Sequence, residues 1–346
     1  MFCRRDKTPP LSNGFEDQKV VKVHAIVPLL ESTIQIMPFL LHLKLPRLGQ
    51  LTRHFKKMEI SLMNNRLLLL SLALPVTALA NGFDHFNSDG KVDVSISVLD
   101  CGRIEARKPS MFNPNVSDEH PLQSANSCYL IQHPKGTLLW DTGLNDGLNK
   151  LTDGMEVMGG AFHFTLPITL NEQLTAMNIA PSDIDYLVLS HLHADHTGNA
   201  NQFSAAKWLI QETEHQVAFD AEISAKIGFD LTQYQNLKDS VEVIKGDHQV
   251  FGDGSVVIVS APGHTPGHQA LYVDLPNYGP IVLSGDLYHS HQNRAQKAIP
   301  VFNQPEQTKA SFARVEQLLK EKQAEIWIGH DIDEFNQKKL APYRYQ

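Results

Sequence analysis

Residues 190–199, SHLHADHTGN, place three histidines and one aspartate within six positions. They follow the apolar run DYLVL, which is typical of a buried strand. Imidazole and carboxylate groups are common metal ligands, so this spacing indicates a metal site at the end of that strand. The alternative is a polar loop that happens to be rich in histidine, and the rest of the chain has to distinguish the two.

Three further strand-like runs end in the same kind of residue. VVIVSAPG leads to His264, GPIVLSG leads to Asp286, and EIWIG leads to His330. Histidines scattered over a solvent-facing surface would show no such register with strand ends. The four strand ends together therefore favour a metal site over a polar loop.

The spacing within HLHADH suits two ions. In an extended segment His191 and His193 point the same way, so both can bind one ion. The turn that follows would bring Asp195 and His196 toward a neighbouring ion, and a carboxylate can bridge two cations. Two metals about 3.5–4 Å apart can share a hydroxide, which is a nucleophile made without Ser or Cys.

Several motifs of the chain resemble those of a known family. HLHADH, APGHTPGH, LSGD and IGH look like the ligand motifs of the metallo-β-lactamase superfamily, in the same order, and CYLIQHPKGTLLWDTG resembles its early hairpin and turn. The resemblance runs over about residues 91–330. It implies an α/β fold, a four-layer αββα sandwich with a dimetal site at one edge between the sheets.

The resemblance also implies which side chains bind two zinc ions. Iron, cobalt or manganese suits the same ligand types. His268 is expected to orient its neighbours by hydrogen bonds, and Asp141 to support the site rather than bind metal. The implied ligands are His191, His193 and His264 on the first zinc, Asp195, His196 and His330 on the second, and Asp286 as the bridge.

Within the superfamily, the resemblance is strongest to the N-acyl homoserine lactonases, in an exported, quorum-quenching branch. The resemblance is carried by VLDCG, GHTPGHQALYV and GHDIDEF. A bridging aspartate such as Asp286 makes antibiotic hydrolysis a less favoured activity than lactone hydrolysis. The resemblance implies that a metal-bridging hydroxide opens the lactone ring of an acyl homoserine lactone. The alternatives are hydrolysis of an organophosphate triester, another ester or a thioester at the same site, and a zinc-binding protein without catalysis.

One position departs from the family pattern. Familiar lactonases carry a tyrosine three residues after the bridging aspartate, where it can bond the substrate carbonyl. Here that residue is His289, and Tyr288 precedes it. In an extended segment the two point to opposite sides, and position favours His289. The candidate catalytic residues are therefore Asp195, Asp286, His289 and Tyr288.

Apolar side chains in two Gly-rich or irregular stretches could form a substrate wall. Met111 and Phe112 lie in SMFNP, and the segment GMEVMGGAFHF contains four more apolar side chains, Met155, Met158, Phe162 and Phe164. Both stretches are expected to lie outside clear strands and to contact the acyl chain. Ordinary loop packing or a homodimer contact is an equal alternative.

The N-terminal part of the chain differs from the rest. Residues 63–80 combine a basic start, the apolar run LLLLSLAL and a small-residue ending A-L-A, as a secretory signal peptide does. Residues 1–62 are then an over-extended or disordered segment, and residues 81–346 form the hydrolase domain. Cleavage after Ala80 predicts a periplasmic or secreted enzyme; the alternative is a buried helix.

Residues 81–346 hold 19 Lys and Arg against 33 Asp and Glu, a net charge of −14. This acidic balance argues against a nucleic acid or an anionic membrane as partner, and the apolar run is too short to insert stably. Cys101 and Cys128 are the cysteines of this region. They could form a disulfide in an oxidising compartment, or they could be two small buried side chains.

Overall fold

The computed structural model describes residues 90–346, which belong to one compact unit. The expected segment 1–62, the signal peptide 63–80 and the first residues of the domain lie outside the described residues. Within residues 90–346, no helix has the length and apolar character that crossing a membrane requires.

Eight strands form the first sheet, in the order β4-β5-β1-β2-β3-β6-β7-β8. The hairpin expected around HPKG is confirmed, since β2 and β3 pair antiparallel with His133 opposite Gly136. The strands of this sheet are β1 Ser95–Ala106, β2 Leu122–His133, β3 Gly136–Trp140, β4 Met155–Val157, β5 Phe162–Thr165, β6 Tyr186–Val188, β7 Lys207–Gln211 and β8 Val241–Ile244.

Five strands form the second sheet, in the order β13-β12-β11-β10-β9. Only the pair β12 and β13 runs parallel; the others are antiparallel. These strands are β9 His248–Gln249, β10 Val256–Ser260, β11 Gln269–Leu275, β12 Gly279–Leu283 and β13 Glu325–Trp327.

The α-helices are mostly short. The longest helix begins at Pro305. Proline is favoured in the first turn because the N–H that it lacks would have no partner within the helix. The apolar face of this helix includes Phe312, Val315 and Leu319. The helices described are α1 Leu170–Ala176, α2 Ala194–Thr197, α3 Glu212–Ala218, α4 Ala221–Lys226, α5 His291–Gln296, α6 Pro305–Lys322 and α7 Ile332–Gln337.

Three apolar clusters define the layers. Successive side chains of β2 point to opposite faces of the sheet. Tyr129 and Ile131 therefore lie in a core between the sheets, and Cys128 and Leu130 lie in a core that contains Leu174 of α1. A third core joins β10–β13 to α6. Helices thus cover the outer face of each sheet, and the four-layer αββα sandwich is confirmed.

The expectation that GMEVMGGAFHF, residues 154–164, lies outside strands was wrong. Met155–Val157 and Phe162–Thr165 form β4 and β5, and β5 pairs with the end of β1 beyond a bulge between Asp100 and Arg103. Each run is too short for a local pattern to reveal it, and it is the pairing with β1 that makes β5 a strand.

Candidate metal centre

All of the residues predicted as metal ligands meet at one edge of the two sheets. His191 and His193 follow β6, His264 follows β10, Asp286 follows β12, and His330 follows β13. The remaining two predicted ligands, Asp195 and His196, lie in the one-turn helix α2 directly after His193.

The first group consists of three imidazoles. His191 Nε2 lies 2.8 Å from His193 Nδ1 and 3.1 Å from His264 Nε2, and the latter two atoms are 3.0 Å apart. Burial lowers the pKa of His191 and His264 well below the ordinary value, so both rings are neutral and offer a lone pair. Three neutral imidazole nitrogens converging on one point form a suitable donor set for a divalent metal.

The second group consists of two imidazoles and one carboxylate. Asp195 Oδ2 lies 3.5 Å from His196 Nε2 and 3.6 Å from His330 Nε2, and the two Nε2 atoms are 3.3 Å apart. Burial alone would lower the pKa of both histidines, but the carboxylates of Asp286 and Asp195 raise it. The carboxylates of Asp286 and Asp195 therefore favour positive charge in this group.

Asp286 lies between the two groups and presents one oxygen to each. Its Oδ2 is 3.3 Å from His264 Nε2, and its Oδ1 is 3.2 Å from His196 Nε2 and 3.1 Å from His330 Nε2. Burial would raise the pKa of this carboxyl, but the imidazoles of His330 and His196 hold it well below the ordinary value. Oδ1 accepts no hydrogen bond from residues 90–346, which leaves an ionised, buried oxygen free for a cation.

Hydrogen bonds on the outer side fix the orientation of each imidazole. The nitrogen that faces away from the centre has its own partner in every case, as is usual for metal-binding histidines. The pairs are His191 Nδ1 with Ser190 Oγ, His193 Nε2 with Ile227 O, His196 Nδ1 with Asp141 Oδ2, His264 Nδ1 with Asn303 Oδ1, and His330 Nδ1 with Ala125 O.

Asp141 and His268 support the centre from outside, as expected. Asp141 Oδ1 accepts from Ser190 N, while its Oδ2 lies 3.0 Å from His196 Nδ1. His268 Nε2 accepts from Asp286 N at 2.9 Å, and burial lowers its pKa to about 4, so the ring stays neutral. A Cβ on Gly285 would lie 2.7 Å from His268 Nε2, so only glycine allows this close approach.

The two candidate carbonyl donors lie on opposite sides of the chain. His289 is buried with its Nε2 3.1 Å from Asp286 Oδ2, and neither ring nitrogen makes a hydrogen bond to a described residue. Tyr288 instead stacks on Phe312, and its hydroxyl donates to Glu316 Oε1 at 3.0 Å. The structure therefore does not bring Tyr288 to the centre, because its side chain fills the apolar layer under α6.

Aromatic side chains form a wall beside His289. The ring of Phe112 lies 4.7 Å from that of His289, 5.9 Å from Phe162 and 5.6 Å from Phe302, measured between centroids. Phe302 is 41% exposed, so this apolar surface extends from beside His289 to solvent. The two stretches expected to form a substrate wall thus meet at Phe112 and Phe162.

Three supporting side chains were not predicted from the sequence. Asn303 contacts His264, Asn126 Nδ2 donates to Asp195 O at 2.7 Å, and Glu214 accepts hydrogen bonds from the loop between His264 and His268. Each lies on an element that supplies no ligand, and an isolated Asn or Glu carries no spacing signal. Only the fold brings them to the centre.

The sequence profile of the metallo-beta-lactamase superfamily matches residues 123–323. This stretch is more than half of the chain and contains every predicted metal ligand except His330. The chain belongs to the metallo-β-lactamase superfamily.

Among individual relatives, the chain is similar to enzymes named N-acyl homoserine lactonase. It is 31% identical to AttM of Azorhizobium caulinodans and 30% identical to AttM of Agrobacterium fabrum, each over 73% of this chain and 99% of the relative. It is 29% identical to AiiA of Bacillus thuringiensis subsp. kurstaki, over 62% of this chain and 84% of the relative.

Solved structures share the fold. An N-acyl homoserine lactone hydrolase with N-hexanoyl-L-homoserine at its catalytic metal center superimposes with a TM-score of 0.62, at 23% identity, over 72% of this chain and 98% of that one. AidC, described as a dizinc quorum-quenching lactonase, gives a TM-score of 0.54 at 18% identity, over 73% and 93% of the two chains.

Proposed function

We propose that the protein hydrolyses the lactone ring of N-acyl homoserine lactones with two zinc ions bound. The observation that carries the proposal is the position of Asp286, one oxygen toward each group of imidazoles, in a chain that matches AttM lactonases over 99% of their length. Such a centre suits hydrolysis without a Ser or Cys nucleophile.

The donor set fits two divalent cations. One ion would be held by the three imidazoles of the first group, the other by the three side chains of the second, with Asp286 shared. Iron, cobalt or manganese suits the same donors. When bound, the metals would lower the pKa of a water molecule and polarise the lactone carbonyl.

The chain's own residues would handle the protons. His289 would donate a hydrogen bond from Nε2 to the lactone carbonyl oxygen. Two observations support this role: the nitrogen lies 3.1 Å from Asp286 Oδ2, and it makes no hydrogen bond to a described residue. Asp286 would take the proton released when water adds to the carbonyl and return it to the ring oxygen as the C–O bond breaks. The products are an alcohol and a carboxylic acid, and the acid releases its proton to solvent to become a carboxylate. Asp195 would hold the second ion in place throughout.

The aromatic wall would bind the acyl chain. Phe112, Phe162 and Phe302 offer apolar surface that starts beside His289 and reaches solvent. Apolar walls with few polar groups are typical of small-molecule sites. The same exposed surface fits a homodimer contact, and sedimentation analysis of the purified protein with and without lactone would separate the two roles.

The test is ring opening by purified, zinc-loaded protein. We expect acid release from an acyl homoserine lactone, followed with a pH indicator, and little turnover of an aryl phosphotriester. His191→Ala should lose both activity and zinc, since it removes one of three donors to an ion. Turnover of the phosphotriester but not of the lactone would contradict the proposal.

We further propose that the enzyme works in the periplasm or outside the cell. The signal-peptide pattern of residues 63–80 supports this, and so does the bond between Cys101 Sγ and Cys128 Sγ, since disulfides persist in oxidising compartments. N-terminal sequencing of the natural protein is expected to begin at Asn81. A chain beginning before Met58, or one retained in the cytoplasm, would contradict export.

A further inference from the structure

A buried amide lies directly behind one of the imidazoles of the first group. Asn303, in the irregular segment between α5 and α6, is 6% exposed, and its Oδ1 lies 3.1 Å from His264 Nδ1. Its Nδ2 donates to Thr308 Oγ1 at 3.4 Å. The amide thus connects His264 to the first turn of α6.

The hydrogen-bond directions in this chain of contacts are determined. The hydroxyl of Thr308 donates its proton to Gln304 O at 2.9 Å, so its oxygen can only accept from Asn303. Asn303 must therefore present its NH₂ to Thr308 and its oxygen to His264. An amide oxygen can only accept, and so His264 Nδ1 carries the proton and Nε2 keeps its lone pair toward the centre.

The segment that carries Asn303 is held firmly against the ligand loop. Gln304 N donates to Gly263 O at 2.7 Å, and Ser311 Oγ donates to Pro262 O at 2.6 Å. A Cβ on Gly263 would lie 2.5 Å from Thr308 Oγ1, so the two backbones are in close contact. Asn303 has little freedom to turn away from the imidazole.

We propose that Asn303 is a positioning residue for metal binding: through Thr308 it holds His264 in the tautomer whose Nε2 binds the first metal ion. The inference rests on the proposed metal site but not on the identity of the substrate. Outer partners of metal-binding histidines typically contribute about 10- to 100-fold in metal affinity.

The test measures zinc affinity by chelator competition on the folded protein, with Asn303→Leu, Asn303→Asp and a control. Asn303→Leu leaves the Nδ1 proton without a partner, and we expect one of the two zinc equivalents to bind roughly 10- to 100-fold more weakly. Asn303→Asp keeps an acceptor for the proton on His264 Nδ1, so affinity should be retained.

Asn293→Leu is the matched control. Asn293 is also a buried amide; its Nδ2 donates to Phe112 O and Ala298 O, and among the described residues it makes no hydrogen bond to a proposed ligand. The control should lose stability and keep both zinc equivalents. In the metal-free protein, ring ¹⁵N shifts should place the His264 proton on Nδ1 in the parent and distribute it between both nitrogens in Asn303→Leu.

Two outcomes would overturn the inference. Normal affinity for both zinc equivalents in Asn303→Leu would remove the positioning role, and equal weakening of both would indicate general loosening of the fold. A parent protein that binds no zinc would refute the proposed metal site itself, and a lactone that is not hydrolysed by a fully zinc-loaded parent would refute only the proposed substrate.

Discussion

At the scale of single residues, the two oxygens of Asp286 face different groups of imidazoles. An amide in this position would direct its NH₂ at one group and could not share a negative charge between two cations. We therefore predict that Asp286→Asn lowers kcat by at least about 10²-fold, since it also removes the proton carrier. Turnover and zinc content should be measured on the same sample.

Asp331→Asn is the control for that substitution. This carboxylate is also buried, one residue after His330, but it accepts hydrogen bonds from Glu334 N and His291 N and belongs to neither group. The variant should lose stability and keep zinc. A normal kcat in Asp286→Asn would remove that carboxylate from the mechanism.

A second prediction at this scale separates His289 from Tyr288. Loss of a donor to a developing oxyanion typically costs about 10²–10³ in rate, so His289→Ala should lose this much in kcat. Tyr288→Phe removes the hydrogen bond to Glu316, away from the centre, and should cost about 1 kcal/mol of stability at a near-normal rate. Comparing both variants on one lactone checks this, and the reverse ranking would reassign the donor.

At the scale of elements, the ligand loops and the supports within their motifs could be predicted, but the supports on distant elements could not. His191, His264, Asp286 and His330 each follow an apolar run long enough to be read as a strand. The residues that hold these loops belong to elements distant in the chain, such as Glu214 on α3. The contacts of these residues form only when the layers pack, so no local sequence spacing predicts them.

Glu214 gives a prediction about pH. Burial raises the pKa of this carboxyl to about 7, although Thr265 Oγ1 and Gly267 N donate to it. A raised acid pKa means that the folded state holds a proton which the unfolded chain has lost, so stability falls as pH rises from about 4.5 to 7. Between pH 5 and 8, Glu214 should cost the parent about 2–3 kcal/mol of unfolding free energy.

Glu214→Gln should lack this loss. Its amide oxygen can accept from Gly267 N while its NH₂ donates to Thr265 Oγ1, so the loop stays in place. Urea unfolding of both proteins at pH 5 and pH 8 tests the difference, and the histidines of the centre titrate in both, so their contribution cancels. A parallel pH dependence in the two proteins would show that Glu214 does not titrate in this range.

At the scale of the whole molecule, the αββα sandwich was predicted through the family resemblance, which the ligand motifs carry by their residues and by their order along the chain. The edge of the first sheet was not predicted. β4 and β5 are three and four residues long, and they extend the sheet only because β1 continues past its bulge to pair with them. The sequence also left open whether Cys101 and Cys128 form a disulfide, because the separation of two residues along the chain does not give the distance between the strands that carry them.

The last prediction concerns that disulfide, which joins β1 to β2 across 27 residues of chain. Closing a loop of this length stabilises a fold by about 3 kcal/mol, mainly by restricting the unfolded chain. The bond lies beside the turn that carries Asp141, since Leu144 N donates to Cys101 O at 3.1 Å.

Replacing both cysteines by Ala keeps the outer core apolar. The double variant should therefore lose about 3 kcal/mol of unfolding free energy and keep its zinc content and its kcat at low temperature. Urea unfolding with and without reductant is the measurement: reductant should destabilise the parent and leave the variant unchanged. An equal midpoint for parent and variant would mean that the two sulfurs are not bonded in the protein, and the support that they lend to export would be lost.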